Sequence, residues 1–146
     1  MLAPQAMNQI NHTTAAIVVH GIDDALAAAA AARRLGLPLT LISAPGAAAY
    51  AGPLWFLALV DQARDAAPEV AVTGILDCAD HAGHAMAALR AGAEAIVFTG
   101  DAAVADKLSA LAQATGATVL RARPPGCDPD AARDKQAAFA EFLTPG

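Results

Sequence analysis

An α/β domain on a parallel sheet is what this sequence predicts, and three observations lead there. Short apolar runs rich in Val, Ile and Leu alternate with longer Ala-rich stretches, five times in succession. The runs show no polar alternation, as expected of strands covered on both faces. Nothing between them has the composition of a linker, so residues 1–146 read as a single α/β domain, with 1–14 a flexible leading segment. Five βα units in series call for parallel strands joined by right-handed crossovers. Two architectures satisfy that: a partial TIM-barrel-like sheet, or an open doubly wound, flavodoxin-like sheet in three layers.

AAIVVHG (15–21) reads as the first buried strand. IDDALAAAAAARRLG (22–36) follows as a helix, with acids at its start, arginines at its end and Gly36 placed to cap it. LPLTLIS (37–43) is the second strand, APGAAAYAG a loop, and PLWFLALVDQARDAA (53–67) the second helix, opened by Pro53. EVAVTGILDC (69–78) is the third strand; Asp80 reads as the N-cap of a helix that ends at Gly92. AEAIVFTG (93–100) and ATVLRAR (117–123) are strands four and five, with the helix DAAVADKLSALAQATG between them. PPGCDP (124–129) reads as a turn, and 130–143 as a closing helix. In either architecture a site belongs at the carboxyl ends of the strands.

Composition narrows the function classes. Lys and Arg number 9 against 14 Asp and Glu, a formal charge of −5, and the basic residues are scattered, so no stripe exists to neutralise phosphates and nucleic acid is not an expected partner. The longest uncharged segment, 35–60, is broken by Pro38, Pro45 and Pro53, so no membrane span is expected. The leading residues lack the basic and apolar regions of a signal peptide, and the two cysteines, Cys78 and Cys127, have no disulfide-framework spacing. A cytoplasmic location is the expectation.

Chemistry concentrates in GILDCADHAGHA (74–85), where a carboxylate, a thiol and two imidazoles follow an apolar strand. Together with SAPGAAAYAG (43–52) and ALRAGAEAIVFTG (88–100), this stretch resembles the class II, zinc-dependent fructose- and tagatose-bisphosphate aldolases. The Tyr50-Ala51-Gly52 triplet, the Leu76-Asp77 pair and the Arg90-Ala91-Gly92 turn fall in the family's order and spacing over roughly residues 15–120. The resemblance implies a barrel-type fold in which zinc polarises a substrate ketone and an Asp carries the proton. Asp77 matches that Asp and is the catalytic candidate.

Departures from the family are as specific as the matches. Cys78 stands where the family's first zinc-binding His belongs, and the other two histidines, the glutamate near strand five and the later phosphate loops have no counterpart in these 146 residues. Strand four ends Thr99-Gly100-Asp101 rather than Asp-Gly-Ser, and Ser43 precedes the family's loop serine position by one. Cys78, His81 and His84 form the only candidate replacement metal set, and the two histidines are more simply read as surface residues. No cofactor is therefore expected, zinc being the one considered. His20, Ser43, Gly46, Cys78, Gly100 and Arg121 remain candidates for holding a small phosphorylated or carbonyl ligand at the strand ends. For His20 a structural hydrogen bond, and for Arg121 a salt bridge, are the plainer accounts.

The sequence thus points to a non-catalytic aldolase relative, a pseudoenzyme with a ligand-binding or regulatory role. The alternative is a small lyase acting on a sugar phosphate or carbonyl compound, with Asp77 as acid/base. A phosphorylation-receiver module is disfavoured, because the expected acidic pair after strand one is His20-Gly21. Five strands in barrel order leave two open edges and an unfilled interior. A homodimer with Leu54, Trp55 and Phe56 at its seam would relieve both.

Overall fold

The computed structural model describes residues 16–128 and 135–143, and side-chain positions for all of these except 135 and 136. The expected leading segment and the first part of the closing helix fall outside the described residues.

Each element forms where local chemistry starts and stops it. Strand β1 (Ala16–Val19) is buried throughout and runs into helix α1 (Ile22–Leu35). Asp23 and Asp24 lie in the first turn of α1 and Arg33 and Arg34 in the last, opposite in sign to the helix-dipole ends they face. Gly36, at φ 68°, adopts the left-handed cap and donates its N–H to the carbonyls of Ala32 and Arg33. Strand β2 (Leu39–Ser43) leads through a 3-10 turn at Ala47–Ala49 to helix α2 (Pro53–Ala66). Strand β3 (Val72–Asp77), buried at all six positions, precedes helix α3 (Ala82–Ala91). Strand β4 (Ala95–Val97) precedes helix α4 (Ala102–Thr115), which Asp101 caps by accepting from the Val104 N–H at 3.2 Å. Strands β5 (Thr118–Leu120) and β6 (Gly126–Cys127) and helix α5 (Lys135–Leu143) complete the described chain.

All strands are parallel, in the order β5-β4-β3-β2-β1-β6. Strands β1 to β5 are therefore neighbours in sequence order, the winding of a barrel segment, while β6 returns to pair with β1 at the opposite edge. The helices lie on one face: Ala28, Phe56, Leu59, Ala88, Leu108 and Phe139 share a core with Ile17, Leu41, Leu76 and Ile96. The opposite face is formed by Ala16, Val18, Ile42, Ile75, Ala95, Val97 and Leu120, with no helical residue among them. Of the two expected architectures, the single helical layer selects the partial barrel. The sheet is open rather than closed.

Curvature follows from the chain's own length. Six residue-to-residue steps carry it from Leu120 on one edge strand to Gly126 on the other. Six steps reach at most about 22 Å, whereas five strand spacings laid flat need about 24 Å. Gly126 is also low in the sheet, in register with Ala16, while Leu120 pairs with Val97 near the carboxyl ends. The sheet must bend to let so short a segment connect them. Pairing in β3 is split in the same sense: Val72–Ile75 pair with β2, and Leu76 and Asp77 pair with β4. Such stagger is what strand tilt in a barrel wall requires.

Two expectations change here. PPGCDP is not only a turn, since Gly126 and Cys127 pair with β1 and Pro125 accepts from the Ala16 N–H at 3.0 Å. Glycine permits this: a Cβ on Gly126 would stand 3.2 Å from the Ala16 carbonyl oxygen and 3.3 Å from Val18 Cγ2. The interior is also filled, not empty, because the inner-face residues are 0–5% exposed. Curvature presses those side chains together.

Candidate functional site

At the carboxyl ends of β2 and β3 the polar groups converge on Asp77. Its Oδ1 accepts from the backbone N–H of Ala79 at 2.8 Å and of Gly46 at 3.1 Å. Its Oδ2 accepts from Arg123 Nη1 at 2.8 Å, and Arg123 Nη2 donates to the Ser43 carbonyl at 2.9 Å. The Ser43 hydroxyl accepts from the Asp77 N–H at 2.9 Å and donates to the Ala44 carbonyl at 3.1 Å. Asp77 is only 4% exposed, with a cation and two amides on its carboxylate. A buried carboxylate persists when it is paired and hydrogen-bonded in this way.

The turn after Asp77 is shaped around that carboxylate. Ala79 sits at φ 50°, a left-handed conformation that costs a non-glycine residue about 1–2 kcal/mol. Its N–H goes to Asp77, and its carbonyl accepts from Thr99 at 2.8 Å. Asp77 thus ties together the 44–52 loop, the 78–81 turn and the 121–125 segment. It does not cap α3, whose N-cap is His81 rather than the expected Asp80, with no side-chain bond to the helix.

The remaining candidates scatter. Cys78 faces the helical layer, opposite to Asp77, and is 1% exposed. Burial, reinforced by the negative charge of Asp77, pushes its thiol up to about 12. His81 and His84 are exposed, their rings edge-on at 5.3 Å between centroids. A zinc site wants three or four converging donors with any thiol ionised. Cys78, His81 and His84 do not fit that demand, because the thiol is buried in the core and held protonated while the imidazoles are exposed to solvent. No cluster of three metal-ligating side chains occurs among the described residues.

His20 donates its backbone N–H to Asp24 at 2.8 Å, and its Nε2 meets Asp128 at 2.9 Å on the surface. Arg121 pairs with Asp106 of α4 and takes no part in the Asp77 cluster. Gly100 has a packing reason to be glycine, since a Cβ there would come within 2.5 Å of the Phe98 ring. Ser43 and Gly46 do belong to the cluster. Arg123, rather than the candidate Arg121, is its cation.

No protein-family model matches the chain, and no curated protein matches it. Among the solved structures it is similar to is a chain from Coccidioides immitis provisionally assigned as a fructose-1,6-biphosphate aldolase, with a TM-score of 0.60 and 24% identity. The fold is aldolase-like. The likeness takes in 81% of this chain and spans 42% of the other chain's length. Within this aldolase-like fold the Asp77 cluster lies at the carboxyl ends of the strands, the end at which TIM-barrel enzymes carry their active sites.

The state of Cys78 is directly measurable. In the folded protein at pH 8 a thiol-specific disulfide reagent is expected to leave Cys78 unmodified and to label it on unfolding. Stability is expected to fall as pH rises from about 9 toward about 12, because the unfolded chain ionises this thiol while the folded chain holds it protonated.

Proposed function

We propose that this chain is a non-catalytic aldolase-like protein whose strand-end rim has a ligand-binding or regulatory role. Asp77 is the supporting observation. The residue matching the family's proton carrier has both carboxylate oxygens engaged, one of them by an arginine. A proton-transfer base must come within hydrogen-bond reach of substrate, and Asp77 is 4% exposed with three of its roughly four acceptor sites filled. Arg123 occupies one of the two carboxylate oxygens, and the candidate metal ligands divide between the buried core (Cys78) and the solvent-exposed surface (His81, His84).

The ligand class in keeping with the resemblance is a small phosphorylated or carbonyl compound, bound in a cytoplasmic setting. No helix among the described residues is long and apolar enough to cross a membrane. Self-association is part of the proposal. Leu54 and Tyr50 are 72% and 73% exposed near the rim and are available to a second copy. Phe56 is not, since it is buried against Gly74, and the expected seam loses that residue.

Incubation with fructose-1,6-bisphosphate or tagatose-1,6-bisphosphate, with and without added zinc, is expected to yield no triose phosphate. Zinc-dependent cleavage that disappears in Asp77→Asn would establish the lyase reading instead.

A further inference from the structure

We propose that residues 121–128 are a strap across the mouth of the curved sheet, which Arg123 fastens and which opens separately from the rest of the domain. The strap's path lies on the inner face. It starts at Leu120, an inner-face residue, and ends at Gly126, which packs beside inner-face Val18. Midway, Arg123 reaches the β2 and β3 ends, bonding Asp77 and the Ser43 carbonyl. Pro124, buried, lies between these points. Arg123 thereby lies against Asp77 and Ser43, and the strap departs from Leu120, which shares a buried inner-face cluster with Ile42, Ile75 and Val97.

It is mostly open to solvent, with Arg121, Ala122, Pro125, Gly126 and Asp128 exposed. Pro124 and Pro125 have no N–H to give, so neither can add a ladder bond. Its contacts among the described residues include a two-residue pairing with β1, the Ala16-to-Pro125 bond, packing of Cys127 on the helical core, and two surface ion pairs, Arg121 with Asp106 and His20 with Asp128. Exposed pairs of that kind hold little. Arg123 bonds the buried Asp77 carboxylate through Nη1 and the Ser43 carbonyl through Nη2, a charge-assisted contact better shielded from water than those surface pairs. Segments with sparse attachments open at free energies well below that of global unfolding. Opening this one would bare the rim and the inner apolar face while touching the helical core only at Cys127. The rim role proposed above is what gives such opening a use, yet the strap stands or falls on its own measurement.

Hydrogen exchange of the intact chain, read by peptide mass spectrometry, tests it together with trypsin cleavage at the Arg121–Ala122 bond. Peptides covering 121–128 are expected to exchange at least tenfold faster than those covering 72–77. Arg123→Gln is expected to raise strap exchange and Arg121–Ala122 cleavage a further tenfold without changing the 72–77 rate, with Arg123→Lys intermediate. If Arg123→Gln does not fold, Arg123→Lys carries the comparison. Equal rates for the two regions in the wild-type chain would overturn the proposal. So would strap exchange that is fast but indifferent to residue 123, the behaviour of an ordinary surface loop. Absence of aldol cleavage bears on neither result.

Discussion

Asp77→Ala is expected to destabilise the protein by about 3 kcal/mol, the cost of breaking a buried, hydrogen-bonded charge pair at one end. For a domain of this size the midpoint of thermal unfolding should drop by about 10 °C. Three groups lose their acceptor at once: the amides of Gly46 and Ala79, and the Arg123 guanidinium. Asp77→Asn keeps an oxygen for the two amides and loses the charge opposite Arg123, so it should fall between wild type and alanine. The sign of the effect discriminates between roles. Residues poised for catalysis are commonly held at a cost to stability, and neutral replacements at such sites tend to stabilise. A carboxylate that fastens three segments gives the opposite result. Calorimetry of the three proteins decides the matter, and a raised midpoint in Asp77→Asn would return Asp77 to the role of acid/base.

Gly74→Ala is the second large effect expected, and it lies on the far side of the sheet. A Cβ at residue 74 would sit 2.6 Å from Val60 Cγ2 and 3.1 Å from Phe56 Cε2, so α2 must move outward to admit it. Overpacking of this kind costs about 1–3 kcal/mol. The local network makes retreat difficult. Gly74 gives its N–H to Glu94 Oε1 at 2.7 Å, and Arg64 holds that same oxygen at 2.7 Å while also bonding the Val72 carbonyl. This carboxylate satisfies the amide in the stretch of β3 that has parted from β4. Val60→Ala alone should also destabilise, by leaving a cavity. In the Gly74→Ala background it should instead restore part of the loss. Chemical denaturation of the double-mutant cycle checks this, and strictly additive losses would mean that the contact with Val60 is not what limits residue 74.

Much of this architecture was legible in the sequence because the signals are local. Gly36, Gly92 and Gly116 mark helix ends and all three take left-handed caps. Pro53 opens α2 and Asp101 caps α4, as their residue types foretell. The fourth strand is shorter than 93–100, covering Ala95–Val97: Phe98 still gives its amide to Leu120 of β5, but Thr99 turns its amide to Ala79 in the turn after β3. The β6 pairing was invisible, since Gly-Cys between prolines has no strand pattern and its partner lies at the other end of the chain. At the site, one available signal went unused. Adjacent strand residues point to opposite faces, so Asp77 and Cys78 could not both line one pocket. Two residues apart, Arg121 and Arg123 would share a face if β5 continued; the strand ends at Leu120, so the turn of the chain, not alternation, sends Arg123 to Asp77 and Arg121 to Asp106.

The late pairing of Gly126 and Cys127 with β1 has a consequence for synthesis. Translation delivers β1 first and its outer neighbour last among the six strands, so one flank of the nascent sheet stays unprotected while four further strands are made. Unprotected flanks recruit other chains. This protein must therefore pass through a period of vulnerability on the ribosome that ends only when a glycine and a cysteine arrive to close it.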